Sequence, residues 1–343
     1  MIRFDSDYIE GAHESILERL YETNNEQLPG YGMDYHTDTA RRYIRELCGA
    51  DVDVHFMTGG TQANMTIIAS MLRPHQGVIA PDSGHIAGHE TGAIESIGHK
   101  VLELENSHGK IAAEQVKIAV EAHWNDPTHE HMPQPKMVYI SQPTEAGTLY
   151  SNDELTRLRD VCTHNNLYLM IDGARIGYAL ASESNDVSIE DIARLCDVFY
   201  IGGTKVGALF GEAVVITNEV IKSDFRYIMK QKGGMLAKGR LLGIQFEVLF
   251  EDGLYFKISK HAIEMAKRLA QAFEEKQIEM YAPATTNQIF PILTDAQIDT
   301  LKTEYAFHVW EEVGASRKAI RLCTSWSTNH GDVDALIKDI RKL

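Results

Sequence analysis

The sequence predicts an α/β protein: a mostly parallel sheet in a large N-terminal domain, followed by a small α+β domain. Three observations point there. Apolar runs of four to six residues, such as Leu167 to Ile171 and Val198 to Ile201, stop abruptly at Gly or charge, as strands buried on both faces do. Up to about residue 230 these runs alternate with stretches of helical period, the pattern of a parallel sheet with crossover helices. Finally, 343 residues exceed what one small core organises, so two domains are expected, 1–245 and 246–343, with the N-terminal segment able to pack on the smaller.

In chain order, Ile2 to Ser6 reads as a short strand, and His13 to Tyr21 as a helix carrying Ile16, Leu17 and Leu20 on one face. Asn24 to Tyr35 is a loop that sets Tyr31 between Gly30 and Gly32, an arrangement that serves loop packing or a mobile site residue. Thr37 is expected to cap a helix ended by Gly49. Val52 to Met57 is a strand. Thr58-Gly59-Gly60-Thr61-Gln62-Ala63-Asn64 then turns into a helix running to Leu72, with a break at Pro74. Strand, glycines, threonine and helix present free N–H groups and a hydroxyl to a phosphate, although a plain tight turn has the same composition. Gly77 to Ala80 is a strand leading to His85 and His89, four apart in a loop. A ligand-facing or a surface role fits the pair, and no third metal ligand lies nearby.

Lys100 to Leu104, Met137 to Ser141 and Ala213 to Thr217 complete the strands of the large sheet, and helices are expected over Ile111 to His123, Ser151 to Asn165 and up to Met229. The run before Asp172 and the run before Gly202-Gly203-Thr204-Lys205 are central. An acid and a lysine just past strand ends sit where α/β sheets bind ligands. A buried lysine there suits an imine with an aldehyde cofactor, and a buried acid suits a pyridine nitrogen. A structural Asp–Lys pair is the plainer reading. Lys230, Lys232, Lys238 and Arg240 form a basic cluster that serves either a solvated helix end or a phosphate. Leu241 to Glu275 is helical with a break near Asp252-Gly253. Gln288 to Leu293, Ala306 to Val309 and Ala319 to Thr324 are strands of the small domain, and Asp332 to Arg341 is its last helix. Arg321, inside the apolar run AIRLC, needs an anion, from a salt bridge or from a substrate carboxylate.

A net charge of −16 argues against nucleic acid or an anionic membrane as partner and leaves room for a small anionic ligand. Four scattered cysteines without a CxxC pair support neither a metal cluster nor a disulfide framework, so a reducing cytoplasm is expected. No apolar run reaches membrane-spanning length, and the opening MIRFDSDYIEG has no signal-peptide core.

The motifs together resemble the low-specificity L-threonine aldolases, of the beta-eliminating lyase group of pyridoxal-phosphate enzymes. The resemblance rests on Ser6-Asp7, Tyr31-Gly32, TGGTQAN, GHIAGHETGAI, HMPQPK, SQPTEAGTLY, DGAR, GGTKVGALFGEA and Ile320 to Leu322, and runs almost end to end. It implies the fold type I of aspartate aminotransferase and the cofactor pyridoxal 5'-phosphate. Lys205 is then the lysine that joins the cofactor aldehyde, Asp172 the partner of its pyridine nitrogen, and His85 the residue stacked on its ring. Gly59, Gly60 and Thr61 bind its phosphate, with Lys238 as basic contact and Lys230 and Arg240 as alternatives. Ser6, Arg175 and Arg321 hold the substrate carboxylate, and Arg175 also borders the cofactor. His131 lies near the substrate hydroxyl, His89 lines the substrate pocket, and Tyr31 reaches it from an adjoining subunit of a dimer or tetramer. The implied reaction cleaves L-threonine or L-allo-threonine to glycine and an aldehyde, the hydroxyl proton going to His131, His85 or water. The rival reaction is β-elimination to pyruvate and ammonia, and a non-catalytic binding protein is the reading from another class.

Overall fold

A computed structural model describes residues 1–343. The chain opens with a two-residue strand, β1 (Ile2–Arg3), and two helices, Glu14–Glu22 and Tyr35–Cys48. The cap of the second helix is Asp34, whose side chain accepts from the Thr37 N–H, so the expected Thr37 cap moves three residues upstream. Gly49 does end that helix, in the left-handed conformation that glycine adopts without strain.

Seven strands form the main sheet: β2 (Asp53–Met57), β3 (Gln76–Pro81), β4 (Val101–Leu104), β5 (Gln134–Ser141), β6 (Tyr168–Asp172), β7 (Val198–Gly202) and β8 (Glu212–Ile216). Their order is β2-β8-β7-β6-β5-β3-β4. All pairings among β3 to β7 are parallel, and only β8 runs against its neighbours. The reversal of β8 follows from its short connection: about ten residues separate it from β7, too few for the crossover a parallel neighbour needs. It has one functional consequence: the C-terminal ends of the parallel strands and the N-terminal end of β8 share one edge of the sheet. Alternate residues of each strand feed two apolar layers, one with Val54, Ile171 and Val215, the other with Met57, Met170 and Val214.

The last third holds the remaining strands: β9 (Gln288–Ile289), β10 (Ile292–Thr294), β11 (Tyr305–Ala306), β12 (His308–Gly314) and β13 (Arg317–Cys323), with the closing helix His330–Ile340. The strand expected over Gln288 to Leu293 is two short ones separated at Pro291. β1 pairs with β11, and Phe4 is buried among the apolar residues of this unit. The expected boundary after residue 245 does not coincide with a change in packing. Leu242 to Ala262 belong to the apolar cluster of the large sheet, and Met265 to Phe273 to that of the small one. The division therefore falls inside the helix Leu254–Glu275, which spans both units.

Candidate active site

A cavity of about 320 Å³ opens at the shared sheet edge, lined among others by Thr58, Gly59, Gly60, Thr61, His85, Asp172, Arg175 and Lys205. A second, of about 720 Å³, adjoins it and shares Tyr8, His85, Glu145, Arg175 and Lys205. Its further lining includes His89, His108, Trp310 and Arg321.

The two central motifs are locked by backbone. Gly202 N–H donates to the Gly173 carbonyl at 2.9 Å. A side chain at Gly173 would collide with the Tyr200 carbonyl, and one at Gly202 with Ala174, so both positions need glycine for close approach. Asp172 is 5% exposed. Its Oδ1 accepts from the Ala174 N–H at 3.0 Å, and its Oδ2 from the Tyr139 hydroxyl at 2.6 Å and from Asn64 at 3.5 Å. These donors fix the orientation of the carboxyl group toward the cavity. Burial, joined by the Arg175 charge, pushes the Lys205 ammonium below lysine's ordinary range. That raises the fraction of unprotonated, nucleophilic amine.

The helix Gly60–Met71 begins at the cavity with Gly59 as an N-cap that offers no side chain, so its first N–H groups are open toward an anion. Thr61 stands in the first turn, and Thr204 lines the same cavity. Glu212, paired in register with Met57, also faces this end and accepts from Thr204 at 2.8 Å.

Arg175 differs from expectation. Its Nε and Nη2 form a two-point ion pair with Asp7 at 2.6 and 3.0 Å, so most of its fork is committed within the chain. Burial alone would raise the Asp7 carboxyl, but Arg175, followed by Lys205, holds it below the usual carboxylate range. Arg321 keeps more of its fork free. One nitrogen donates to the Asp5 carbonyl at 3.2 Å, the guanidinium lies 5.6 Å from the Trp310 ring, and Nε is buried without a partner. The Ser6 hydroxyl, in the same N-terminal segment, is likewise buried and unpartnered. A buried donor without an acceptor is costly unless a ligand supplies one.

His131 is a correction. It ends the exposed turn His129–His131, just before β5, whereas Ser141 at the far end of β5 lines the cavity. Eight strand residues put it roughly 26 Å from that edge. Lys238 is absent from the cofactor-sized cavity of its own chain and lines a separate hollow with Pro29, Gly30 and Arg240. Arg240 donates to the carbonyls of Glu26 and Asn24, and Lys230 lies 4.8 Å from the Tyr31 ring. Tyr31 itself is 46% exposed and reaches neither cavity.

Sequence reasoning missed Glu90, His108, Glu145, Glu212 and Trp310. Glu212 carried a signal, as the one acid opening the apolar run EAVVI. His108 carried a weaker one, its place before Gly109; the structure turns there, with φ of 49° at His108, and brings it to the larger cavity. No group of three or more His, Cys, Asp or Glu side chains is placed to hold a metal ion, and no helix is long and apolar enough to cross a membrane.

With this geometry in view, the comparisons with known proteins agree among themselves. The family model described as beta-eliminating lyase matches residues 4–296. A low-specificity L-threonine aldolase of Pseudomonas aeruginosa is 30% identical over 99% of this chain and 97% of its own length. A solved threonine aldolase structure from Leishmania major superposes with a TM-score of 0.96 at 42% identity, covering 100% of this chain and 99% of that one. The aspartate aminotransferase of Thermus thermophilus, at 15% identity, covers 100% of this chain and 91% of that one with a TM-score of 0.73, a likeness of fold alone.

Proposed function

The chain belongs to the beta-eliminating lyase family, with the fold of the pyridoxal-phosphate aminotransferases, and we propose that it cleaves L-threonine and L-allo-threonine to glycine and acetaldehyde with pyridoxal 5'-phosphate. The observation that carries this reading is the single edge that gathers Lys205, Asp172, the open helix start at Gly60 and the half-free Arg321 around two joined cavities. The residues fit the cofactor. Gly59, Gly60 and Thr61 would take the phosphate, Asp172 the pyridine nitrogen, His85 the ring face and Lys205 the aldehyde. When bound, the cofactor accepts the electron pair released at the substrate's α-carbon.

The chain's own residues do the rest. Asp172, oriented by Ala174, Tyr139 and Asn64, would hold a proton on the pyridine nitrogen. Arg321 pairs with the substrate carboxylate through its free edge, Ser6 adds its unpartnered hydroxyl, and together they set which Cα bond faces the cofactor. Arg175 contributes its remaining nitrogen and, through Asp7, anchors the segment bearing Ser6 and Tyr8. Lys205, with its lowered proton affinity, exchanges a proton at the α-carbon. β-Elimination would use the same groups, but the full-length similarity to threonine aldolases favours cleavage between Cα and Cβ.

The working unit is proposed to be a dimer or tetramer with shared sites. A phosphate dianion needs a cation, and within one chain Lys205 and the Asp7-paired Arg175 are the lysine and arginine side chains lining the cofactor cavity. Lys238 or Lys230 and Tyr31 of a second copy supply what is missing. Exposed Leu17, Tyr21, Tyr31, Met33 and Tyr35 support a covered face there. All four cysteines are free and buried, which fits the reducing cytoplasm. The test is cofactor-loaded protein with L-threonine: glycine and acetaldehyde in equal amounts support the reading, and their absence refutes it.

A further inference from the structure

We propose that Glu90 is the positioning residue that fixes the His85 imidazole with its proton on Nδ1, leaving Nε2 to take the β-hydroxyl proton of the substrate. The inference rests on the aldol-cleavage reading above. His131 lies at the opposite edge of the sheet, whereas His85 is the histidine that lines both cavities.

Glu90 sits behind it. Its side chain is fully enclosed, and Oε1 lies 2.8 Å from His85 Nδ1 and 2.8 Å from Asn64 Nδ2. A carboxylate only accepts, and the Asn64 amide is already one donor, so His85 Nδ1 must be the other. The His85 side chain is 39% exposed toward the cavities, and its Nε2 makes no hydrogen bond within the chain. Glu90 Oε2 has no partner at all. A buried carboxylate in that state gains from a neighbouring positive charge, so it stabilises the imidazolium that forms when Nε2 accepts a proton. Asn64 continues the chain of contacts to Asp172 Oδ2 at 3.5 Å. One buried relay thus joins the residue proposed to cover the cofactor ring to the residue proposed to hold its nitrogen.

The proton balance is complete. His85 Nε2 would take the hydroxyl proton, the oxygen lone pair would become the carbonyl π bond of the aldehyde, and the Cα–Cβ electron pair would go to the acceptor that the cofactor supplies when bound. His85 returns its proton to water as the aldehyde leaves, and the α-carbon takes one through Lys205. Nothing is oxidised or reduced overall.

Glu90→Gln is the test, read on the cofactor-loaded enzyme. The amide oxygen can still accept from Nδ1, but the negative charge that stabilises the imidazolium is gone, and the amide's NH2 can compete for the same place. Threonine cleavage should fall about 100-fold in kcat, while exchange of the glycine α-proton with D₂O and the visible absorbance of bound cofactor stay near wild type. In a His85→Phe background, Glu90→Gln should change the rate less than about threefold, since coupled residues are non-additive. Where Glu90→Gln does not fold, Glu90→Asp carries the same cycle. The proposal is overturned if Glu90→Gln keeps kcat within about threefold of wild type, if exchange falls in step with cleavage, or if the two substitutions are additive. Wild-type cleavage is the control: its failure would refute the functional reading, whereas a silent Glu90→Gln refutes this inference alone.

Discussion

Asp7 and Arg175 form a two-point ion pair, 2.6 and 3.0 Å long, between the N-terminal segment and the turn that follows β6. Asn287, from the small unit, donates to the same Asp7 carboxylate at 2.9 Å. One fully enclosed carboxylate thereby joins three parts of the chain at the rim of the site. Asp7→Ala should cost about 3–5 kcal/mol of stability, since it leaves a buried guanidinium unpaired. Denaturant unfolding measures this, and a loss below about 1 kcal/mol, the size of a surface pair, would contradict it.

Lys205→Ala should abolish cleavage while the chain still folds and retains cofactor through the phosphate end. Asp172→Asn should also be severe, because a neutral amide cannot keep the pyridine nitrogen protonated. Turnover, circular dichroism and cofactor content separate these effects from misfolding; near-normal glycine production by either variant would remove that residue from the mechanism.

Arg321→Ala should raise KM for threonine far more than it lowers cofactor content. Loss of the carboxylate contact removes binding shared by the ground and transition states, together with some orientation. A structural salt bridge would lower the melting temperature instead, without a specific rise in KM. The unpartnered Nε and the packing on Trp310 favour the kinetic outcome.

Glu212 gives a pH-dependent signature. Burial raises its carboxyl to about 8, against the Thr204 hydrogen bond and the Lys205 charge, which lower it. Unfolded, it titrates near about 4.3. Between those values the folded chain holds the extra proton, so this stabilising contribution is full below the unfolded value and is lost as pH rises through 8. Cofactor-free Glu212→Gln should lack that decline: relative to wild type it gains stability from pH 5 to pH 8. Parallel unfolding midpoints at the two pH values would contradict the assignment.

The parts of the site legible in the sequence were those announced by an interrupted pattern. Asp172 and Lys205 each end an apolar run, and the glycines after Met57 break a strand into a helix, because burial on both faces of a parallel sheet leaves no other place for charge. His131 misled because nearness in the chain to a strand says nothing about which end of the strand is the site. Glu90 and Glu145 carried no pattern: a single acid in a loop is ordinary until the fold encloses it. The direction of β8 was equally invisible, since an apolar run reads the same in parallel and antiparallel pairing.

Shared sites should show in a mixing experiment. Lys205→Ala and Tyr31→Ala are each expected to be inactive, and unfolding and refolding them together should restore part of the activity, because a hybrid pair regains one intact site. Failure of mixing and sizing to show association at micromolar protein would return Tyr31 to its own chain.

Cleavage between Cα and Cβ is tested most directly by running L-threonine through the cofactor-loaded enzyme in D₂O and analysing the products by mass spectrometry at early times. The expected result is glycine carrying deuterium at its α-carbon, with an equal amount of acetaldehyde. A 2-oxo acid and ammonia in place of glycine would contradict aldol cleavage and make the protein an eliminating lyase.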